Sequence, residues 1–173
     1  MSYDFILGID PSGAFREGKG TTGWCVLSAE QKAITKVDQI EALKFCSQEE
    51  YWKEHLHVIK THKNKYKKRM CVVIEDYLLY SQLATSQTNS RFETCQLIGV
   101  MKYFCFANNI KYVMQTASQV KQRWSDKILV HKGVIIPNGK GYITSVTKHP
   151  INEHCRDAIR HAWHFNTFKN KED

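Results

Sequence analysis

Phe5-Ile6-Leu7-Gly8-Ile9 is an apolar run of strand length that ends in a carboxylate, Asp10, and then in the turn sequence Pro11-Ser12-Gly13. A continuous apolar run of this length reads as a strand buried on both faces, so the acid at its end is held rigidly at the edge of a core. The pattern recurs: Glu75 closes Cys71-Val72-Val73-Ile74, and Asp157 lies beside Ala158 in a C-terminal segment of helical periodicity. A carboxylate in apolar surroundings has to be paired, protonated or bound to a metal ion. Neither strand offers a Lys or Arg at a matching position, so a shared divalent cation is the economical expectation for all three.

The order of the elements indicates a mixed α/β domain. Strands are expected over Tyr3 to Asp10, Gly23 to Ser28, within Ala33 to Phe45, over Met70 to Glu75 and from Ile110 to Met114. Ser47 followed by Glu50 is a capping-box pattern that opens a helix with Tyr51, Trp52, His55, Leu56 and Ile59 on one face. Helices are also expected over Arg91 to Asn108, over Thr116 to Trp124, and from an Asn152 cap through Phe168. The stretch from Gly133 to Pro150 reads as an irregular loop or hairpin. No repeat or low-complexity linker divides the chain, so 1–173 is expected to form one domain.

Charge narrows the partners. Lys and Arg outnumber Asp and Glu by 25 to 17, a formal net charge of +8. Lys60, Lys63, Lys65, Lys67, Lys68 and Arg69 crowd ten positions. A basic chain that also carries a carboxylate cluster suits a polyanionic substrate, because cations hold phosphates while metal ions neutralise the acids near the reacting one. No apolar stretch approaches the length of a membrane span and Met1-Ser2-Tyr3-Asp4 does not open a secretory leader, so neither membrane insertion nor secretion is expected. Cys25, Cys46, Cys71, Cys95, Cys105 and Cys155 form no CxxC pair, which argues for reduced thiols, a cytoplasmic location and no zinc knuckle.

Asp10, Glu75 and Asp157 are the candidate metal ligands. His154 and Glu153 lie three and four residues before Asp157, on roughly its helical face, and spacing alone does not choose between them as a fourth ligand. Oxygen-rich coordination favours Mg2+ or Mn2+. Two ions per site would generate hydroxide and stabilise the leaving 3′ oxygen in attack on a phosphodiester. Tyr77, Leu78 and Tyr80 follow Glu75 so closely that their loop lies beside such a site, where aromatic rings can stack on bases or instead pack on the core. Trp24 and Trp163 read as core residues. His149, His161 and His164 form no zinc set with a cysteine.

These motifs together resemble the RuvC family of Holliday junction resolvases, in the ribonuclease H-like superfamily, and in particular its phage-borne members. Ile6-Leu7-Gly8-Ile9-Asp10-Pro11-Ser12-Gly13 followed by Thr22-Gly23-Trp24 resembles the family's first catalytic strand and hairpin. Val72-Val73-Ile74-Glu75 resembles the strand of the second acid, and His154-Cys155-Arg156-Asp157-Ala158-Ile159-Arg160-His161-Ala162 the last catalytic helix. Within that helix Asp157 matches the family acid, and His154 occupies a position that is Asp in some members and His in others.

The resemblance implies a ribonuclease H-like mixed sheet flanked by helices and a crossover junction endodeoxyribonuclease dependent on Mg2+ or Mn2+. It further implies a homodimer that nicks branched DNA, joined through the helix over 91–108 with Phe92, Leu97, Val100, Met101 and Phe104. It makes His154 the favoured fourth ligand over Glu153, places Tyr77 or Tyr80 near the junction centre, and matches Lys121, with Lys127 in looser register, to DNA-contacting lysines. It is compatible with a phage-encoded enzyme acting inside a bacterial host. A departure from the family pattern over Val120 to Lys127, and another over 133–150, bear on branch selectivity. A ribonuclease H-like nuclease of other branched DNA or of RNA-containing duplexes is the competing enzyme reading, and a catalytically silent DNA-binding or assembly protein the competing non-enzymatic one.

Overall fold

The strands form a mixed five-stranded sheet in the order β3-β2-β1-β4-β5, in a computed structural model that describes residues 2–77 and 92–170. The strands are β1 (Phe5–Asp10), β2 (Thr21–Ser28), β3 (Ala33–Glu41), β4 (Met70–Asp76) and β5 (Tyr112–Thr116). β1 pairs antiparallel with β2 on one side and parallel with β4 on the other. β4 pairs parallel with β5. The two fully apolar strands sit at the centre, as expected of strands covered on both faces. The more polar β3 lies at an edge, with Ile34, Val37 and Ile40 buried and Lys36 and Asp38 exposed. It stops at Glu41, within the expected span Ala33 to Phe45, and a short 3-10 turn, Ala42–Lys44, follows.

Strand alternation divides the core into two layers. Leu7, Ile9, Val72 and Ile74 face the helices α1 (Gln48–Tyr66) and α2 (Glu93–Ala107). Ile6, Cys71 and Val73 face the C-terminal helix α5 (Glu153–Phe168). Ile6, Leu7, Val72, Val73 and Ile74 are fully enclosed, each such side chain contributing about 1.5–3 kcal/mol over leaving it in water. The Ser47 side chain accepts from the Glu50 N–H and so caps α1, as the capping-box pattern requires.

Between β5 and α5 lie two short helices, α3 (Ala117–Lys121) and α4 (Asp126–His131), and a small antiparallel sheet. Its strands are β6 (Ile135–Asn138), β7 (Gly141–Thr144) and β8 (Pro150–Ile151). The 133–150 segment is thus a hairpin with a third short strand. Gly139 takes φ 59° at the tight turn between β6 and β7, a conformation glycine adopts without steric cost. Trp24 and Trp163 are buried, and all six cysteines are free. No helix among the described residues is long and apolar enough to cross a membrane.

α2 is more internal than a partner-facing helix would be. Leu97 and Met101, expected to offer surface to a second chain, are fully buried in the chain's own core because they face β4 and α1. The exposed apolar residues of this helix are Tyr103 and Phe106.

A buried polar network fastens α1 to the turn after β1. His55 Nδ1 lies 2.7 Å from the Tyr51 carbonyl, its N–H donating, and His55 Nε2 accepts from the Thr22 hydroxyl at 2.8 Å. The Ser12 N–H donates to Thr22 Oγ1, and the Tyr51 hydroxyl donates to the Ser12 carbonyl. Burial pushes His55 down from 6.5 to about 4, so it is folded in its neutral form. The unfolded chain binds this proton first as pH falls. Stability from this group is therefore complete above about pH 6.5 and is lost progressively toward pH 4. By pH 5 the loss amounts to about 2 kcal/mol. Urea denaturation at pH 7.5 and pH 5 should show a shallower fall for His55→Gln than for the unaltered chain, and equal slopes would exclude a neutral buried His55.

Candidate active site

Parity and direction bring the acids together. Asp10 follows Ile6 and Gly8 on the α5 side of β1, and Glu75 follows Cys71 and Val73 on the α5 side of β4. The two strands are parallel with Ile9 opposite Ile74, so both carboxylates emerge at the same end of the sheet and on the same face. Asp157 comes down onto them from α5.

That helix can reach them because two glycines clear its path. A Cβ on Gly8 would stand 2.4 Å from the Ala158 carbonyl oxygen, and one on Gly23, which pairs with Asp10, would stand 2.2 Å from the His154 carbonyl carbon. Ala158 and Ala162 are the small residues that α5 turns to the sheet at Gly8. The helix is also fixed at both ends. Asn152 accepts from the Cys155 N–H and donates to Gln39 on β3, while Asn170 exchanges hydrogen bonds with the Tyr3 backbone at 2.6 and 2.8 Å. Gly13 makes the corresponding close approach to the start of α2, where its N–H donates to Thr94 Oγ1 at 3.0 Å.

The result is a cluster in which oxygens of Asp10, Glu75 and Asp157 lie within 4.8 Å of one another. Asp10 and Asp157 are buried and Glu75 is half-buried. An all-oxygen set of three carboxylates is the donor set a hard divalent cation such as Mg2+ or Mn2+ requires, so the residues fit such an ion. Burial, and then repulsion from Glu75 and Asp157, push Asp10 up to about 6 despite the His154 hydrogen bond that opposes them. Burial acts to raise Glu75 too, but the His161 hydrogen bond, with the Lys121 charge, outweighs it and holds Glu75 below the ordinary range.

Cations do reach this cluster, from helices rather than from the strands. Lys121, at the end of α3, places Nζ 2.7 Å from Asp157 Oδ2 and 3.5 Å from Glu75 Oε1. Its desolvation is overcome by the bond to Asp157 and the surrounding negative charge, which hold its pKa up. Arg160 donates to the other Asp157 oxygen and to Asp126, and its Nε–H donates to the Trp124 carbonyl at 2.9 Å. Lys121, expected as a DNA contact, sits at the acids with its side chain still partly exposed, and Lys127 is exposed on α4.

His154 lies beside the cluster, with Nδ1 2.9 Å from Asp10 Oδ2. That bond, against partial burial, raises its pKa. Glu153 points to solvent. Tyr77 is half-buried against the α1 and α2 core, and Tyr80 lies outside the described residues. Two residues that sequence reasoning left out are His161 and Gln115. His161 is fully buried, with Nε2 2.9 Å from Glu75 Oε2 and Nδ1 3.0 Å from Gln115 Oε1. The available signal was the four-residue step from Asp157 to His161, which places both on one face of α5.

Two solved structures of Thermus thermophilus RuvC share this fold. One, in complex with a Holliday junction substrate, aligns over 93% of this chain and 91% of that chain with a TM-score of 0.63 at 15% sequence identity. The other aligns over 92% and 91% with a TM-score of 0.62 at 15% identity. The ribonuclease H-like mixed sheet flanked by helices expected from the sequence is therefore the fold observed. No family model and no curated protein sequence matches the chain.

Because Asp10 carries its proton up to about pH 6, a cation has to displace that proton at lower pH. Mn2+ affinity measured by calorimetry should be about tenfold weaker at pH 5 than at pH 7.5. An affinity that does not change across this interval would remove Asp10 from the ligand set.

Proposed function

We propose that this chain is a divalent-metal-dependent endonuclease of branched DNA that nicks four-way junctions as a homodimer. The observation that carries the reading is the convergence of Asp10, Glu75 and Asp157 at one end of a RuvC-like sheet. The RuvC neighbour solved with a Holliday junction supports the substrate class, and the net charge of +8 supports a polyanion.

Asp10, Glu75 and Asp157 would hold the ions, two per site, with His154 beside Asp10 as the favoured fourth ligand. Bound Mg2+ or Mn2+ supplies Lewis-acid charge that readies water for in-line attack and offsets charge on the leaving 3′ oxygen. The chain's own residues do the rest. Arg160 fixes Asp157 through one oxygen and leaves the other toward Lys121 and the cluster. Lys121, still partly exposed, is placed to meet a phosphate brought to the acids. Lys127, exposed on α4, is the second candidate phosphate contact, and Tyr77 or Tyr80 takes the role of stacking at the branch point.

Asp10→Asn and Glu75→Gln should each abolish Mg2+-dependent scission of a synthetic four-way junction while leaving most of the junction binding, since neither change removes a positive charge. The assay is cleavage of the junction beside a linear duplex, a fork and an RNA–DNA hybrid. Normal cutting by Asp10→Asn would end the metal-site assignment, and preference for the hybrid would favour a ribonuclease H-type activity instead.

For the dimer, two symmetric nicks need two linked sites. Tyr103 and Phe106 are 72% and 76% exposed on the outer face of α2, where large apolar groups favour a partner surface. Tyr103→Glu with Phe106→Glu should convert a dimer into a monomer in sedimentation. A wild-type chain that sediments as a monomer, alone and on junction DNA, would defeat this part of the reading.

A further inference from the structure

We propose that His161, with Gln115 behind it, is a positioning residue for the nuclease reaction: it fixes the carboxylate of Glu75 in the orientation the metal site needs. The inference rests on the nuclease reading above but concerns residues outside the ligand set.

Three observations carry it. His161 is completely enclosed, yet both of its ring nitrogens lie within hydrogen-bond distance of a side-chain oxygen, Glu75 Oε2 at 2.9 Å and Gln115 Oε1 at 3.0 Å. Gln115 is itself buried, and among the described residues its amide nitrogen has no hydrogen-bond partner. Gln115 pairs with Glu75 across β4 and β5, so the two side chains leave the sheet in register on the face that α5 covers.

A neutral imidazole donates through one nitrogen and accepts through the other. The Glu75 carboxylate only accepts, which assigns the proton to Nε2 and leaves Nδ1 as an acceptor in need of a donor. Turning the Gln115 amide over exchanges its oxygen and nitrogen, positions that heavy atoms alone distinguish poorly. The NH2 group then donates to Nδ1, and the otherwise orphaned amide nitrogen is satisfied. One chain of bonds follows: Gln115 amide to His161 Nδ1, and His161 Nε2 to Glu75 Oε2. It fixes Oε2 and leaves Oε1 3.5 Å from the Lys121 Nζ that also meets Asp157.

Partners that orient a ligating side chain in this way change metal affinity or activity by about 10- to 100-fold when removed. A residue that merely fills space would move neither metal affinity nor the tautomer of the ring.

The test measures Mn2+ binding to the full chain by electron paramagnetic resonance, with junction cleavage measured in parallel. His161→Leu should bind Mn2+ about 10- to 100-fold more weakly and lose kcat with little change in KM. His161→Gln keeps an N–H donor near the position of Nε2 and should recover most of the loss. Unimpaired Mn2+ affinity in His161→Leu overturns the proposal, as does failure of His161→Gln to improve on it. Should His161→Leu fail to fold, the imidazole 1H–15N spectrum of the metal-free wild type decides. A proton on His161 Nε2 supports the proposal and its absence there overturns it. A wild-type chain that binds no Mn2+ while showing that Nε2 proton would sink the nuclease reading and leave the Gln115–His161–Glu75 bonds standing.

Discussion

The close approach of α5 to the sheet is the constraint on which the site depends. A helix normally packs about 10 Å from a sheet because side chains fill the gap. Here Gly8 and Gly23 remove them from the sheet, and Ala158 and Ala162 keep them short on the helix. Asp157, a short side chain, then reaches carboxylates that stand on strands. With larger residues at these positions the same secondary structure would form, but the third acid would stand off from the other two.

Electrostatics set the cost of this arrangement. Three acids within 4.8 Å repel one another, and the rise of Asp10 to about 6 records its burial and that repulsion. Lys121 and Arg160 offset part of the charge from one side, and His161 supports Glu75 from another. Among the described residues the ion-pair partner of Asp10 is the His154 imidazole, and its carboxyl is the one pushed up rather than held down. Under the nuclease reading proposed above, a divalent cation would supply positive charge at this acid cluster.

Much of this was legible in the sequence because it is written locally. Buried strands announce themselves as apolar runs, and an acid at the end of such a run stands out. Asp157 was legible from helical periodicity. The position of Lys121 was not, since its distance from Glu75 depends on how α3 leaves β5. His161 and Gln115 were hidden for a similar reason: their meeting requires the register of β5 on β4 and the rotation of α5 at once. The apolar residues of α2 were legible as apolar, but periodicity cannot say which partner a face meets. Leu97 and Met101 face the chain's own core, and Tyr103 and Phe106 face outward.

Strand direction explains why chemistry is concentrated at one end of the sheet. β1 is the strand at which pairing changes from antiparallel to parallel. Parallel partners end together, so Asp10, Glu75 and Gln115 reach the same edge, and open sheets accept ligands at the carboxyl ends of strands beside such a change. The antiparallel neighbour contributes differently: β2 arrives at Asp10 with Gly23, the residue that admits the helix. The His55 network then ties the Pro11 to Gly13 turn to α1, and Gly13 ties it to α2. Asp10 is thereby held from both layers of the core. A carboxylate fixed on a central strand and braced in this way has the rigid placement that an ion-binding group needs, a requirement that a side chain on a free loop would not meet.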